Sequence, residues 1–148
     1  MISTNYHALI PNRIFMGGAL DIPDIVEHER IDVIVDLREE ATQSASNDPN
    51  VRWIKIPLDD HPTEPQNKLF HQAILEVVSA YRKGEKVAFH CGGGKGRTGT
   101  VATCILMELG LSTNLQEAEA QAKEIRPILS IKPIQMEALE RIYVNHSV

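Results

Sequence analysis

The segment HCGGGKGRTG, residues 90–99, decides the fold of this 148-residue chain. Directly before its cysteine, Lys86–His90 form a short apolar run that is typical of a buried strand. Residues 97–109 are apolar almost all round, as in a helix buried on every side. A strand, a glycine-rich loop and a helix in succession are typical of α/β proteins, whose helices pack on a mostly parallel sheet.

The rest of the chain continues this alternation of strands and helices. Three further apolar runs predict strands at Arg13–Met16, Asp32–Leu37 and Val51–Ile56. Helices are expected to begin near Pro23, to span Asn67–Lys83, to run from a capping box at Thr113 and Gln116 to about Arg126, and to begin again at Pro133. We therefore predict one α/β domain over residues 1–148, with a mostly parallel central sheet of four or five strands flanked by helices.

Composition excludes several classes of protein. The chain has 15 Lys and Arg against 20 Asp and Glu, a net charge of −5, which argues against nucleic-acid binding. Its two cysteines, Cys91 and Cys104, argue against a disulfide framework and favour a reducing compartment. We find no signal-peptide pattern at the N-terminus and no run approaching the roughly 18–20 apolar residues of a membrane span. We expect a monomeric cytoplasmic protein.

The glycine-rich loop has the composition of an anion-binding site. Gly92, Gly93, Gly94 and Gly96 allow the backbone N–H groups to turn inward, next to the N-terminus of the following helix. Lys95 adds one cation to this loop. Arg97 adds a second, and its guanidinium matches two phosphate oxygens at once. We predict that residues 92–97 bind phosphate.

The same positive field acts on Cys91, which ends the strand. A helix N-terminus and neighbouring cations stabilise a thiolate, the form of cysteine that acts as a nucleophile. The loop that binds a phosphate would therefore also activate the group that attacks it. We predict that Cys91 is a catalytic nucleophile.

Three other interpretations of residues 90–99 have to be considered. A Walker loop requires Ser or Thr after Gly-Lys, but Gly96 follows Lys95 here. Gly94, Gly96 and Gly99 satisfy the dinucleotide pattern, yet no second strand follows to offer an acidic residue to a ribose. A tight turn with an inert buried Cys91 is the remaining alternative.

The motif Cys-x5-Arg-Thr, preceded by His90 and followed by Gly99, resembles the signature of the cysteine-dependent protein tyrosine phosphatases. The compact length resembles their dual-specificity branch. The segments Arg13–Gly17 and Val33–Glu39 are similar to the first two strands of that branch, so the resemblance covers most of the chain. It implies a phosphocysteine intermediate on Cys91.

The resemblance also implies roles for individual residues. Arg97 would hold the phosphate, Thr98 would hydrogen-bond the cysteine sulfur, and His90 would orient the loop. Arg126 would support the loop from behind, and Gln135 would place the hydrolytic water.

A general acid is implied on a loop ahead of the cysteine. The segment Ile56–Pro62 offers Asp59 and Asp60. Related phosphatases place the acid just before a His or Gly with a proline close behind, so the resemblance favours Asp60, which precedes His61, over Asp59. The alternative for either residue is a loop carboxylate that only caps a helix or is solvated. We keep both candidates and place Asp60 first.

These observations predict a phosphomonoester hydrolase that needs no metal and no cofactor. The expected partner is a phosphorylated protein or peptide that carries phosphotyrosine, with phosphoserine and phosphothreonine also accepted in a shallow pocket. A phosphoinositide or other non-protein phosphate is the alternative substrate, because Lys95 and the Asp60-His61 pair resemble phosphoinositide phosphatases. Gly92 argues against it, since that group often carries a second lysine there. A catalytically silent phosphate-binding module is the alternative from another class.

Overall fold

One sheet of five strands crosses residues 5–144, the part of the chain that the computed structural model describes. The strands are β1 His7–Ile10, β2 Ile14–Gly18, β3 Val33–Arg38, β4 Arg52–Leu58 and β5 Val87–Cys91. Their order across the sheet is β1-β2-β5-β3-β4. β1 is antiparallel to β2, and all other neighbours are parallel. The prediction of a mostly parallel α/β sheet is confirmed.

Five helices cover the two faces of the sheet. They are α1 Ile22–Glu29, α2 Asn67–Arg82, α3 Gly96–Glu108, α4 Leu115–Ile125 and α5 Pro133–Val144, and a short 3-10 turn at Ala19–Asp21 precedes α1. α1 contributes to a small core on one face, whereas α2 to α5 share a large core on the other. No helix in the described range combines the length and apolar character that a membrane crossing requires.

Alternation along β5 decides which face each side chain reaches. Val87, Phe89 and Cys91 belong to the large core, and Ala88 between them belongs to the small core beside α1. Cys91 therefore points to the face that carries α3. Residues 96–106 of α3 are all buried, as their apolar composition predicted.

Two local details differ from the sequence-based prediction. β1 was not expected, because His7–Ile10 is short, lies at the sheet edge and buries Leu9 alone of its four residues. The capping box at Thr113 is also wrong. Asn114 is the N-cap of α4, and its side chain accepts a hydrogen bond from the Glu117 N–H at 2.8 Å, while the Thr113 hydroxyl bonds the Glu117 carboxylate.

Candidate active site

The candidate site lies at the carboxyl ends of the parallel strands. β5 sits between β2 and β3 and ends at Cys91, and the loop from 92 to 95 leads directly into α3. Glu40 follows the end of β3 and Asp60 follows the end of β4. In open α/β sheets this edge is where ligands bind, because helix N-termini and loops converge there.

The loop after Cys91 packs against the end of β2, and at Gly94 and Gly18 the two backbones leave no room for a Cβ atom. A Cβ atom on Gly94, whose φ is +72°, would lie 2.6 Å from the carbonyl carbon of Gly17. One on Gly18 would lie 2.7 Å from the oxygen of Gly92. The Ala19 N–H also donates to the Gly92 oxygen at 3.0 Å. The paired glycines of β2 thus hold the loop by backbone contact.

The Cys91 side chain lies at the base of this loop and is 2% exposed. The Thr98 hydroxyl donates to its sulfur at 3.0 Å, and also lies 3.3 Å from the Gly17 oxygen. The His90 Nδ1 lies 3.0 Å from the Cys91 carbonyl oxygen. The sequence-predicted Cys91, Thr98 and His90 therefore meet around one sulfur atom and its backbone.

Arg97 is fully buried behind the loop, with its side chain 2% exposed. Its Nη1 and Nη2 donate to the two carboxylate oxygens of Glu40, each at 2.8 Å, and Nη1 donates to the Leu58 oxygen at 2.8 Å. Nε is buried and has no hydrogen-bond partner among residues 5–144. One edge of the guanidinium is thus saturated, and the Nε edge is left for an oxyanion.

Glu40 was not singled out by the sequence analysis. The hydrogen bonds from Arg97 lower the pKa of Glu40 to about 2, even though partial burial acts in the opposite direction. Glu40 therefore stays ionised over the whole physiological range. Nothing in its local sequence, a Glu-Glu pair after a strand, distinguishes it from a solvated acid.

A buried polar cluster lies beneath His90. Its Nε2 is 3.6 Å from the Asp36 carboxylate, which accepts hydrogen bonds from Arg38 Nε at 2.9 Å and from the Trp53 indole at 2.9 Å. Burial lowers the pKa of His90, which favours the neutral imidazole. Burial opposes ionisation of Asp36, but Arg38, His90 and Trp53 together hold its pKa below the usual range. The cluster fixes the ring of His90 behind the loop.

Asp60 lies in a cavity of about 260 Å³ that is also lined by Cys91, Gly93, Lys95, Gly96, Ser130 and Lys132. Its Oδ1 is 3.7 Å from Arg97 Nε and 3.7 Å from Lys132 Nζ. The Asp59 carboxylate instead accepts a hydrogen bond from the His61 N–H at 2.9 Å. Of the two candidate acids, Asp60 is the one that the structure places with Cys91 and Arg97.

Lys132 is a second residue that the sequence analysis missed. Its ammonium donates to the Asp60 carbonyl oxygen and lies 3.3 Å from His61 Nδ1. The segment before α5 is thereby tied to the loop that carries Asp60. Lys132 and Lys95 are the lysines in the lining of the cavity.

Arg126 and Gln135 contact the loop from the protein side. Arg126 Nε donates to the Gly94 oxygen at 2.9 Å, which is the support from behind that was expected. Gln135 accepts a hydrogen bond from the Lys132 N–H at 2.9 Å and lies beside Gly96. Its Nε2 is buried with no hydrogen-bond partner among the described residues.

The other chemically active side chains lie apart from this cavity. Cys104 is buried within α3, and burial raises the pKa of its thiol, so it is an inert core residue. Asp24, Glu27 and His28 on α1 place ligand atoms within 4.8 Å of one another, but two of the three residues are exposed and none lines the Asp60 cavity. The expectation of no metal requirement stays a prediction.

The cavity brings together the Cys91 sulfur, a glycine-rich loop that carries Lys95, and the Asp60 carboxyl group. A phosphate held by Arg97 Nε and the loop N–H groups would lie against the sulfur, with Asp60 at the same cavity. That arrangement suits displacement at phosphorus, in which positioning and charge stabilisation supply most of the rate.

Comparison with known proteins gives an independent result. A family model described as "PTP-SAK: Swiss Army Knife protein, DSP-PTPase phosphatase domain" matches residues 19–142. The protein 067L of Invertebrate iridescent virus 3, which carries the name of a tyrosine phosphatase, is 33% identical over 114 residues, covering 70% of this chain and 46% of that protein. The chain covers 46%, 19% and 30% of three curated relatives, so it spans less than half of their length.

Solved structures share the fold. The crystal structure of human DUSP28 superposes with a TM-score of 0.80 at 18% identity, covering 99% of this chain and 98% of that one. The crystal structure of PTPMT1 in complex with PI(5)P superposes with a TM-score of 0.78 at 18% identity, covering 95% and 96%. At this identity the likeness concerns the arrangement of the helices and strands.

Proposed function

Because this chain belongs to the family of DSP-PTPase phosphatase domains, we propose that it hydrolyses phosphomonoesters with Cys91 as the nucleophile. The observation that carries the proposal is the buried Nε of Arg97, which has no hydrogen-bond partner among residues 5–144 and lies 3.7 Å from Asp60 at the cavity that Cys91 also lines. A buried cationic N–H group that lacks a hydrogen-bond acceptor raises the free energy of the folded protein, and a phosphate oxygen would supply that acceptor.

In the first step the Cys91 thiolate attacks phosphorus, and the bond from phosphorus to the ester oxygen breaks. The departing oxygen takes a proton from Asp60, leaving a phosphocysteine and a neutral alcohol or phenol. Arg97 Nε and the N–H groups of Gly92, Gly93, Gly94, Lys95 and Gly96 hold the three remaining phosphoryl oxygens throughout.

In the second step a water molecule attacks the phosphocysteine. Asp60, now ionised, accepts a proton from this water, and the bond between sulfur and phosphorus breaks to release inorganic phosphate. The Thr98 hydroxyl, 3.0 Å from the sulfur, stabilises the thiolate that departs. Gln135 lies beside Gly96 with an unpartnered buried amide nitrogen in the described structure, which suits the placing of this water.

The proposed substrate is a phosphorylated protein or peptide. A small cavity, about 260 Å³ in volume, suits phosphotyrosine and leaves room for the shorter phosphoserine and phosphothreonine. Cytoplasmic localisation, a monomeric state and a single domain over residues 1–148 stay predictions.

A phosphoinositide is the second candidate substrate. Lys95 and Lys132 both line the cavity and offer two further cations to a substrate with several phosphates. One fold relative was solved in complex with PI(5)P. The glycine-rich loop carries a single lysine, Lys95, however, since Gly92 occupies the position at which phosphoinositide phosphatases often carry another.

One set of assays tests the proposal. Phosphate release would be measured from an aryl phosphate, from phosphotyrosyl, phosphoseryl and phosphothreonyl peptides, and from PI(5)P in detergent micelles, with and without a chelator. We expect chelator-resistant turnover that is abolished in Cys91→Ser and strongly reduced in Arg97→Lys.

The outcomes separate the alternatives. Normal turnover by Cys91→Ser would overturn the mechanism, and loss of activity with chelator would overturn the metal-free chemistry. Phosphopeptide binding without turnover by the wild-type protein would identify a silent phosphate-binding module. Faster release from PI(5)P than from any phosphopeptide would favour the lipid substrate.

A further inference from the structure

A second cleft adjoins the phosphate-binding loop. It has a volume of about 340 Å³ and shares Gly93 with the Asp60 cavity. Arg126, His7 and Asp21 contribute its polar lining, and Leu20 and Ile128 its apolar lining. Apart from Gly92 and Gly93, whose N–H groups belong to the phosphate loop, none of its lining residues takes part in the catalytic steps proposed above.

Its two apolar side chains are unusually open to solvent. Leu20 is 94% exposed and Ile128 is 50% exposed. Within the described residues, the exposed large apolar side chains are Leu20, Trp53, Leu75, Leu111 and Ile128, and two of these line this one cleft. A single exposed apolar residue is ordinary, but a pair that faces one cleft next to a reactive loop indicates a binding surface.

Leu20 is held in place rather than carried on a loose loop. It lies in the 3-10 turn Ala19–Asp21, where the Ala19 N–H donates to the Gly92 oxygen at 3.0 Å. The Asp21 carboxylate accepts a hydrogen bond from the Gly18 N–H at 2.8 Å. The turn is therefore fixed to the phosphate loop itself, so an apolar group bound by Leu20 has a defined position relative to Cys91.

Ile128 is fixed from the other side. It lies within a turn in which the Leu129 N–H donates to the Arg126 oxygen at 3.1 Å, and Arg126 is anchored by its bond to Gly94. Both apolar walls are thus tied to the loop that would hold the phosphate. An extended polypeptide advances about 3.3 Å per residue, so a residue near the phosphorylated one reaches an adjoining cleft.

We propose that this cleft binds an apolar side chain of the substrate polypeptide within two positions of the phosphorylated residue. The proposal rests on the proposed function and specifies its substrate as a phosphopeptide with an apolar neighbour. Charge argues for a polypeptide rather than a lipid bilayer as the occupant. α1 begins directly after Asp21, and residues 22–29 include Asp24, Glu27 and Glu29 but no Lys or Arg, so this helix offers no attraction to an anionic membrane.

The test compares matched phosphotyrosyl peptides that carry Leu or Ser at each of the two positions on either side of the phosphotyrosine. In the wild-type protein we expect kcat/KM to be about five- to tenfold higher for at least one Leu peptide than for its Ser partner, the gain from partial burial of one side chain. Leu20→Ser and Ile128→Ser should remove this preference while leaving hydrolysis of a small aryl phosphate unchanged. Leu75→Ser, which alters a 54% exposed residue of α2, is the control and should retain the preference.

A binding experiment keeps the inference independent of turnover. Affinities of the same peptides for Cys91→Ser and for Cys91→Ser with Leu20→Ser should show the same loss of the Leu preference. Equal values for Leu and Ser peptides at every position, in rate and in affinity, would overturn the cleft assignment. Leu20-dependent binding to vesicles of phosphatidylcholine and phosphatidylserine would overturn it in favour of a membrane surface. A Leu preference in affinity with no phosphate release would instead count against the proposed catalysis alone.

Discussion

Glu40 binds both terminal nitrogens of Arg97, each at 2.8 Å, and so fixes the guanidinium plane while leaving Nε without a hydrogen-bond partner among residues 5–144. A bidentate pair fixes orientation as well as charge, because two parallel hydrogen bonds remove rotation about the side-chain axis. Glu40 is therefore a positioning residue for the proposed oxyanion site, acting through Arg97.

Replacing Glu40 tests this role. Glu40→Gln keeps the shape but removes the carboxylate, so Arg97 loses its charge-assisted pair and part of its fixed orientation. We expect kcat/KM for an aryl phosphate to fall about 10- to 100-fold, the range for losing a hydrogen bond to a charged group. The exposed neighbour provides the control, and Glu39→Gln should stay within about twofold of the wild type. Equal losses in both variants would remove the special role of Glu40.

The same pair makes stability depend on pH at the acid end. Arg97 lowers the pKa of Glu40 to about 2 from an ordinary value of 4.5, so the folded state binds this proton less readily than the unfolded state. The contribution is complete above about pH 4.5 and is lost as the pH falls towards about 2. Urea unfolding of the wild type and Glu40→Gln over this range should show a stability difference that shrinks with falling pH. A difference that grows as the solution is acidified would contradict the pairing.

Asp60 and Asp59 are adjacent but differ in surroundings, which allows a matched comparison. Asp60→Asn should lower kcat by roughly 10²- to 10⁴-fold for an alkyl phosphate, because the poor leaving group then departs without a proton. The loss should be much smaller for a nitrophenyl phosphate, whose leaving group needs no proton. Asp59→Asn should leave both rates within about threefold of the wild type, since the Asp59 carboxylate accepts a hydrogen bond from the His61 N–H. A larger loss in Asp59→Asn than in Asp60→Asn would reverse the assignment.

Thr98 should matter more for the second chemical step than for the first. Its hydroxyl lies 3.0 Å from the Cys91 sulfur, and it stabilises the thiolate as that group leaves phosphorus. Thr98→Ala should lower the steady-state kcat about tenfold or more, by loss of a hydrogen bond to a charged atom. Rapid mixing with nitrophenyl phosphate should then show a burst of one nitrophenolate per site, while Thr98→Ser should behave like the wild type. Absence of a burst together with an unchanged kcat would exclude this role.

Two neighbouring glycines of the loop differ in how much room surrounds them. Gly94→Ala places a Cβ atom on a residue with φ of +72°, 2.6 Å from the Gly17 carbonyl carbon. We expect a loss of at least about 2 kcal/mol in the free energy of unfolding, from left-handed strain and backbone overlap. Gly93→Ala meets no atom within 4 Å and should change that free energy by less than about 0.5 kcal/mol. Thermal or urea unfolding measures both, and similar losses would show that the loop adapts.

The sequence predicted the parts of the fold and of the site that are formed by residues close together in the chain. Cys91, Arg97 and Thr98 belong to one strand, loop and helix, so their spacing alone predicts that they lie close together. Most strands and helices were also predicted to within two residues, because their apolar periodicities are strong. β1 was not predicted, because a four-residue edge strand with one buried side chain has almost no apolar periodicity.

Glu40 and Lys132 could not be predicted in the same way. Glu40 lies 57 positions from Arg97 along the chain, and the register of β3 beside β5 is what brings its carboxylate to the guanidinium. Lys132 meets Asp60 across 72 positions. Their local sequences resemble ordinary solvated surface, so only the tertiary arrangement distinguishes them. The sequence could not decide between Asp59 and Asp60 for the same reason. Adjacent carboxylates have the same sequence context, and only the structure shows in which direction each side chain points.

The bonds from Arg97 to the Leu58 oxygen at 2.8 Å and to Glu40 join the carboxyl ends of β4 and β3. The residue proposed to bind phosphate is thus also a tie between two strands of the sheet. Folding and ligand binding are then linked equilibria. An oxyanion that accepts a hydrogen bond from Nε, at free concentration [L] and with dissociation constant Kd, adds RT ln(1 + [L]/Kd) to the free energy of unfolding of the whole domain. Inorganic phosphate, the product of the proposed reaction, would in this way act as a folding ligand of the protein that releases it.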